Sequence, residues 1–166
     1  VDGVLNYSPT NASTFTFQGT AQQTVNGAGS LTLGSNLNVI VNNAAGVLLN
    51  RNLTVGGTLT STLGNLSING NTLTLNGSYA RTSGLLVGST TSNLVVGSSN
   101  GTAALYFAHG GFNNYLKDVT VNAGILGIQD TLNIVGGSNF GTVTLNGVPP
   151  SQFAVLNVNA PLVFKS

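Results

Sequence analysis

The stretch Asn52 to Gly77 reads NLTVGGTLTSTLGNLSINGNTLTLNG. It carries four short beats: Leu53-Thr54-Val55, Leu59 within Thr58-Leu59-Thr60, Leu66-Ser67-Ile68 and Leu73-Thr74-Leu75. The leading leucines stand at 53, 59, 66 and 73, a step of six or seven residues. A helix cannot bury such a series, because its apolar stripe must recur at three and four residues. A three-residue strand can, since alternate side chains leave opposite faces and both apolar residues of a beat then point one way. Glycine or Asn-Gly fills the gaps. Very short strands at a regular short step predict an all-β chain wound as a coil, a parallel β-helix or β-solenoid. The five Asn-Gly pairs, at 26, 69, 76, 100 and 146, fit coil corners that need positive φ. They fit hairpin turns equally well, so an antiparallel β-sandwich is the structural alternative.

The same theme runs outward in both directions. Leu31-Thr32-Leu33, Leu37-Asn38-Val39 and Val47-Leu48-Leu49 precede the stretch; Val119-Thr120-Val121, Leu132-Asn133-Ile134 and Val143-Thr144-Leu145 follow it. Leu85-Leu86-Val87 and Leu94-Val95-Val96 are wholly apolar, so one residue of each must face outward or pack under a loop. A longer repeat lies above the short step. Leu37 to Gly57 aligns with Leu116 to Gly137, and both copies run on to Leu-Asn-Gly, so the internal repeat spans 37–77 and 116–147. No linker interrupts it, which predicts a single β-solenoid domain over 1–166. With about 20 residues per coil, the chain would make roughly seven or eight coils. Leu, Val and Ile would form ladders inside, with Thr, Ser and Asn outside.

Charge narrows the function. Charged residues are 4% of the chain, against roughly 25% in an ordinary soluble domain. The bases are Arg51, Arg81, Lys117 and Lys165; the acids are Asp2, Asp118 and Asp130. No basic cluster exists to bind nucleic acid or an anionic membrane surface. No run of 18 apolar residues is present, so insertion into a membrane as a helix is not expected. There is no cysteine. A neutral, strand-forming chain is prone to stack edge to edge.

Residues that could carry chemistry are sparse. His109 is the sole histidine, in Ala108-His109-Gly110-Gly111, with no triad spacing around it. Asp118 and Asp130 are the interior carboxylates, and a polysaccharide-cutting site would use clustered acids; no Glu is available to join them. The expectation is no enzyme, no cofactor and no metal. The Thr-x-Thr occurrences Thr14/Thr16, Thr58/Thr60, Thr60/Thr62, Thr72/Thr74 and Thr142/Thr144 could form an ice-binding array on a flat face, or simply be neutral strand residues facing solvent. Tyr7, Tyr79, Tyr106, Phe112 and Tyr115 are candidates for stacking on sugars or for core packing and capping; Tyr106, Phe112 and Tyr115 cluster in sequence. Asn-x-Ser/Thr sequons at Asn6, Asn11, Asn52, Asn65, Asn76 and Asn100 matter only if the source glycosylates them.

The phrases Asn52 to Thr60 (NLTVGGTLT), Gly70 to Gly77 (GNTLTLNG) and Leu116 to Asn122 (LKDVTVN) resemble repeat regions of very large secreted surface proteins of Bacteroidota, of the adhesin-like or filament class exported by the type IX system. The resemblance covers roughly residues 29 to 147. It implies an extracellular, repetitive, non-enzymatic role and carries no functional residues with it. Asp130-Thr131-Leu132 is similar to the short O-glycosylation motif of that phylum, which would place a glycan on Thr131. This chain departs from those proteins in being short and in lacking a recognisable sorting domain.

These readings converge on one expectation: a structural extracellular module that self-associates end to end into a surface filament, sheath or matrix. No basic start followed by an apolar stretch appears, as expected once a signal peptide has been removed. The partners would be copies of the chain, with surface glycans as a second class. The subunit contacts would be Thr14, Phe15, Thr16 and Phe17 near one end. At the other they would be Phe153, Val155, Leu156, Val158, Leu162 and Phe164. The alternative is a monomeric adhesin-stalk module that binds a glycan or ice.

Overall fold

A computed structural model describes residues 5–97, 104–122, 127–129, 131–136, 138–140, 156–158 and 162–164. The described chain is all-β, a β-solenoid of about five turns from Leu5 to Val121, and two more strands extend its longest sheet. That sheet, face A, stacks Leu5–Tyr7, Ser30–Leu33, Asn52–Val55, Thr72–Leu75, Asn93–Val96, Asp118–Val121, Ser138–Phe140 and Leu162–Phe164. Face B stacks Ser13–Gly19, Leu37–Asn43, Leu59–Leu63 and Tyr79–Arg81. Face C stacks Gln23–Val25, Val47–Leu49, Asn65–Ser67 and Leu85–Val87. Two short sheets carry the later coils: Ala104–Leu105 with Gly127–Ile128, and Tyr115–Leu116 with Leu132–Ile134 and Leu156–Val158. Every strand pair among the described residues is parallel, so the antiparallel sandwich is excluded for them.

The four beats of the deciding stretch are three sides of one turn and the return. Leu53 lies on face A, Leu59 on face B and Leu66 on face C; Leu73 comes back to face A directly over Leu53. Side-chain alternation then does the sorting. Leu53, Leu73, Leu94 and Val119 form one buried column, and Val55, Leu75, Val96 and Val121 a second. Each fully buried Leu or Val is worth about 1.5–3 kcal/mol, but only when a neighbouring coil covers it, so stability is a sum over neighbours. The apolar triplets resolve as their composition requires. Leu86 and Leu94 point in, whereas Leu85, Val87 and Val95 are half-exposed.

Corners are held by amides that reach between coils. Asn69 (φ 50°) and Gly70 (φ 74°) are both left-handed, a pairing that suits a hairpin. Here their partners lie one coil away. The Asn69 side chain donates to Asn50 Oδ1 at 2.9 Å, Asn50 donates to Asn26 Oδ1 at 3.0 Å, and Gly70 N–H donates to Ser92 Oγ at 3.0 Å. Asn38 and Asn52 accept the backbone N–H of Thr58 and Thr72, each at 2.9 Å. Asn43, fully buried, donates to Ala21 O and Gln23 Oε1 and accepts from Ala45 N–H. A neutral amide both donates and accepts, so it bridges the coil before and the coil after without a counter-charge. This explains how so uncharged a chain satisfies its corners.

The two copies of the long sequence repeat do not occupy equivalent positions. Val39 to Val41 lies on face B, whereas its counterpart Val119 to Val121 lies on face A. Their similarity reflects the strand pattern that every face demands. The coil step on face A also varies, from 19 residues between Val119 and Ser138 to 26 between Leu5 and Leu31, with 25 between Leu94 and Val119.

Tyr79 is the unusual core residue. Its ring is buried on face B and its hydroxyl, like that of buried Ser61 on the coil before, makes no well-formed hydrogen bond among the described residues. Burial raises the phenol above its ordinary value of 10.0, with the Ser61 hydroxyl and the Arg81 charge pulling the other way. The neutral form is therefore favoured in the fold. Its contribution is whole below about pH 10, where the unfolded phenol is also neutral, and is lost as pH rises through the higher folded value. Tyr79→Phe is expected to leave stability at pH 7 unchanged or up to about 1 kcal/mol higher, by removing a buried hydroxyl. It should also flatten the loss of stability above about pH 10. Urea melts across that range check both; an alkaline limb identical to wild type would refute the assignment.

Candidate functional site

The first coil forms an open apolar mouth. Leu5–Tyr7, Ser13–Gly19 and Gln23–Val25 are the outermost strands of faces A, B and C at this end. Phe15 and Phe17 stand in register with Val39 and Val41, which are buried inward positions. Phe15 thus points into the coil interior, yet it is 47% exposed. Its ring meets Phe17 edge to face at 4.8 Å. Leu5, Tyr7, Phe15, Phe17, Leu31 and Leu37 surround a recess of about 360 Å³. Thr14 and Thr16 occupy the alternate, outward positions of the same strand. The Asn26–Asn50–Asn69 ladder ends here as well, with exposed Asn26 as its last rung.

Among the described residues the strands of the first coil carry no charged side chain, and the buried Arg51 of the next coil donates to Asn26 O and Ser30 O at its corner. Between Asp2 and Arg51 the sequence has no Asp, Glu, Lys or Arg. Natural sheet edges are commonly blunted by charges or covered; this one, among the described residues, is neither. At the far end Leu162–Phe164 is the outermost strand of face A, and Leu156–Val158 the outermost of the short sheet beside it. The expected contact residues Leu156, Val158, Leu162 and Phe164 therefore lie on edge strands. Phe153 and Val155 lie outside the described residues.

The other candidates are scattered. His109 is exposed in the loop between Phe107 and Tyr115. Asp118 is half-exposed at the start of its strand, with Lys117 Nζ at 3.6 Å; Asp130 lies outside the described residues. Among the described residues no group of three His, Cys, Asp or Glu side chains converges. Thr131 is half-buried, and its carbonyl accepts from Asn114 Nδ2 at 3.0 Å. The three clustered aromatics are separated. Arg81 stacks over the Tyr106 ring at 4.3 Å, whereas Phe112 and Tyr115 pair edge to face at 5.0 Å.

Register brings together threonines that adjacency in sequence hides. On face A, Thr32, Thr54, Thr74, Val95 and Thr120 form one outward column. The column beside it is Ser30, Asn52, Thr72, Asn93 and Asp118. Of the expected pairs among the described residues only Thr72/Thr74 lies on this face; Thr14/Thr16 and Thr60 lie on face B, where Ile40 stands between Thr16 and Thr60, and Thr142/Thr144 lies outside the described residues. Unequal coil lengths conceal this column from any search at fixed spacing.

No family model matches the chain, and no curated protein or solved structure shows significant similarity to it.

Proposed function

We propose that this chain is a structural extracellular module that joins end to end with copies of itself, building a surface filament, sheath or matrix. The observation that carries the reading is the first coil: three strand edges around an apolar mouth, whose described strands carry no charged side chain. Each coil of a solenoid is a template for the next, so a coil at one end of a copy has the cross-section to continue the coil at the other end of its neighbour. Such a head-to-tail contact repeats without closing, and its product is a fibre. The resemblance of Asn52 to Thr60, Gly70 to Gly77 and Leu116 to Asn122 to Bacteroidota surface-protein repeats supports a location outside the cell.

The test is electron microscopy of the purified chain over a concentration series, with Phe15→Lys as the variant. Wild type should form thin, uniform filaments. Phe15→Lys would place an unpaired ammonium in the joint, at a cost of several kcal/mol to association. The same change costs the fold little, because Phe15 already stands at its open end. The variant should therefore stay monomeric with an unchanged circular dichroism spectrum. Dispersed wild type at high concentration, or filaments that survive Phe15→Lys, would remove the reading.

A second reading, a monomeric stalk module that binds ice or a glycan, is favoured by the face A threonine column. It predicts ice recrystallisation inhibition by monomers that Thr54→Tyr abolishes.

A further inference from the structure

We propose that the loop formed by residues 108–114 is a binding site for a neutral saccharide, with the Phe112 ring as its stacking platform. The loop accounts for the long coil between Leu94 and Val119. The chain reaches face C at Phe107, which bridges to Leu86, and leaves it there. It resumes the stack at Tyr115, whose carbonyl lies against Gly88. Ala108 and Asn114 are buried at the loop's two ends, and the exposed residues 109–112 between them project from the side of the rod.

This projection is held in shape. Ala108 N–H donates to Leu86 O at 2.8 Å, and Gly88 N–H donates to Asn113 O at 2.7 Å, which ties both ends to the coil before. Asn114 is buried and donates to Thr131 O, which ties the loop to the coil after. Within the loop Asn113 N–H donates to Gly110 O and Tyr115 N–H to Phe112 O. Gly110 (φ 96°) and Gly111 (φ 60°) supply the left-handed backbone that this reversal needs, with open space around each. Phe112 is then presented at 62% exposure, the largest value among the exposed large hydrophobics. Tyr115 braces it through an edge-to-face contact. An aromatic fixed in its exposed position loses little conformational freedom on binding.

The surroundings select the ligand. Polyanions such as nucleic acid need several cations, whereas residues 108–114 contain no Lys or Arg. A protein partner needs about 800 Å² on each side, far more than one ring and its brace provide. A pyranose has an apolar C–H face the size of one aromatic ring, with hydroxyls around its rim. The side chain of Asn113, next to the ring and donating to His109 O within the loop, offers a neutral amide for those hydroxyls. The site lies on the side of the rod, so it stands independently of end-to-end assembly.

Cellotetraose and chitotetraose, immobilised on a surface, are the probes, with a hyaluronan tetrasaccharide as the charged comparison. The full chain should bind at least one neutral probe. Phe112→Ala should weaken that binding by about tenfold or more, and Phe112→Tyr should hold it within about threefold. The melting temperature should not move, since the ring is exposed. Absence of binding to both neutral probes, preference for the charged one, or binding indifferent to Phe112→Ala would each overturn the assignment. So would loss of filaments in Phe112→Ala, which would make the ring a contact between copies.

Discussion

Gly64→Val is expected to unfold the solenoid or to cost more than about 3 kcal/mol, among the largest effects available to a single side chain. Two independent causes act at this position. Gly64 has φ 76°, a left-handed conformation that L-residues adopt at a cost of roughly 1–2 kcal/mol and that β-branched residues hardly adopt at all. In addition, a Cβ placed there would run into the backbone carbonyl of Asn43, one coil below. That carbonyl already accepts the N–H of Gly46 at 2.8 Å, so displacing it breaks a second corner. The clash is with backbone, which cannot rotate aside as a side chain can. Gly110→Ala separates the two causes: Gly110 has φ 96° but open space around it, so it isolates the conformational part. Urea melts of Gly64→Ala, Gly64→Val and Gly110→Ala should rank valine as worst and Gly110→Ala as mildest. Equal costs at Gly64 and Gly110 would show that coil-to-coil contact at this corner is unimportant.

The same corner shows what a single sequence can and cannot reveal. Leu53, Leu59, Leu66 and Leu73 expose the architecture directly, because a step of six or seven residues is too long for a helix and is the side of a triangle. The inward and outward positions follow by alternation, and they hold even for Leu94-Val95-Val96. What adjacency does not encode is the pairing between coils, since a coil can lengthen at a corner without disturbing its faces. Residues 108–114 do so between Val95 and Thr120, and the steps Thr32–Thr54 and Thr54–Thr74 already differ, so the face A threonines align at unequal intervals. The separation of Tyr106 from Phe112 and Tyr115 has the same origin: nearby in sequence, they flank a loop that leaves and rejoins the stack. Asn69-Gly70 was ambiguous for another reason. Its dihedral angles suit either a hairpin or a coil corner, and only its partners on neighbouring coils decide between them. The same alternation turns Phe15 and Phe17 inward on the first coil, in register with Val39 and Val41, while Phe15 stays 47% exposed.

Leu73→Ala is the second large effect, and its consequences differ from those of a core deletion in a globular domain. Leu73 is fully buried between Leu53 below and Leu94 above. Removing its branch leaves a cavity in a column that cannot close, because the backbones on either side are fixed by their ladders. A loss of about 2–5 kcal/mol follows. In a one-dimensional stack that loss falls on two interfaces, the contacts of this coil with the coil before and with the coil after. The turns from Leu31 to Val55 and those from Leu94 onward should then uncouple. Wild type is expected to melt in one urea transition and Leu73→Ala in two. Amide exchange should show Val39 and Val119 protected to different extents in the variant. Leu5→Ala provides the comparison: Leu5 lies at the open end and is 41% exposed, so its truncation should cost under about 1 kcal/mol and leave one transition. If both substitutions cost the same, or if Leu73→Ala melts as a single unit, cooperativity in this fold extends beyond neighbouring coils. End-to-end joining would then have to be treated as an extension of the whole stack rather than of its last coil.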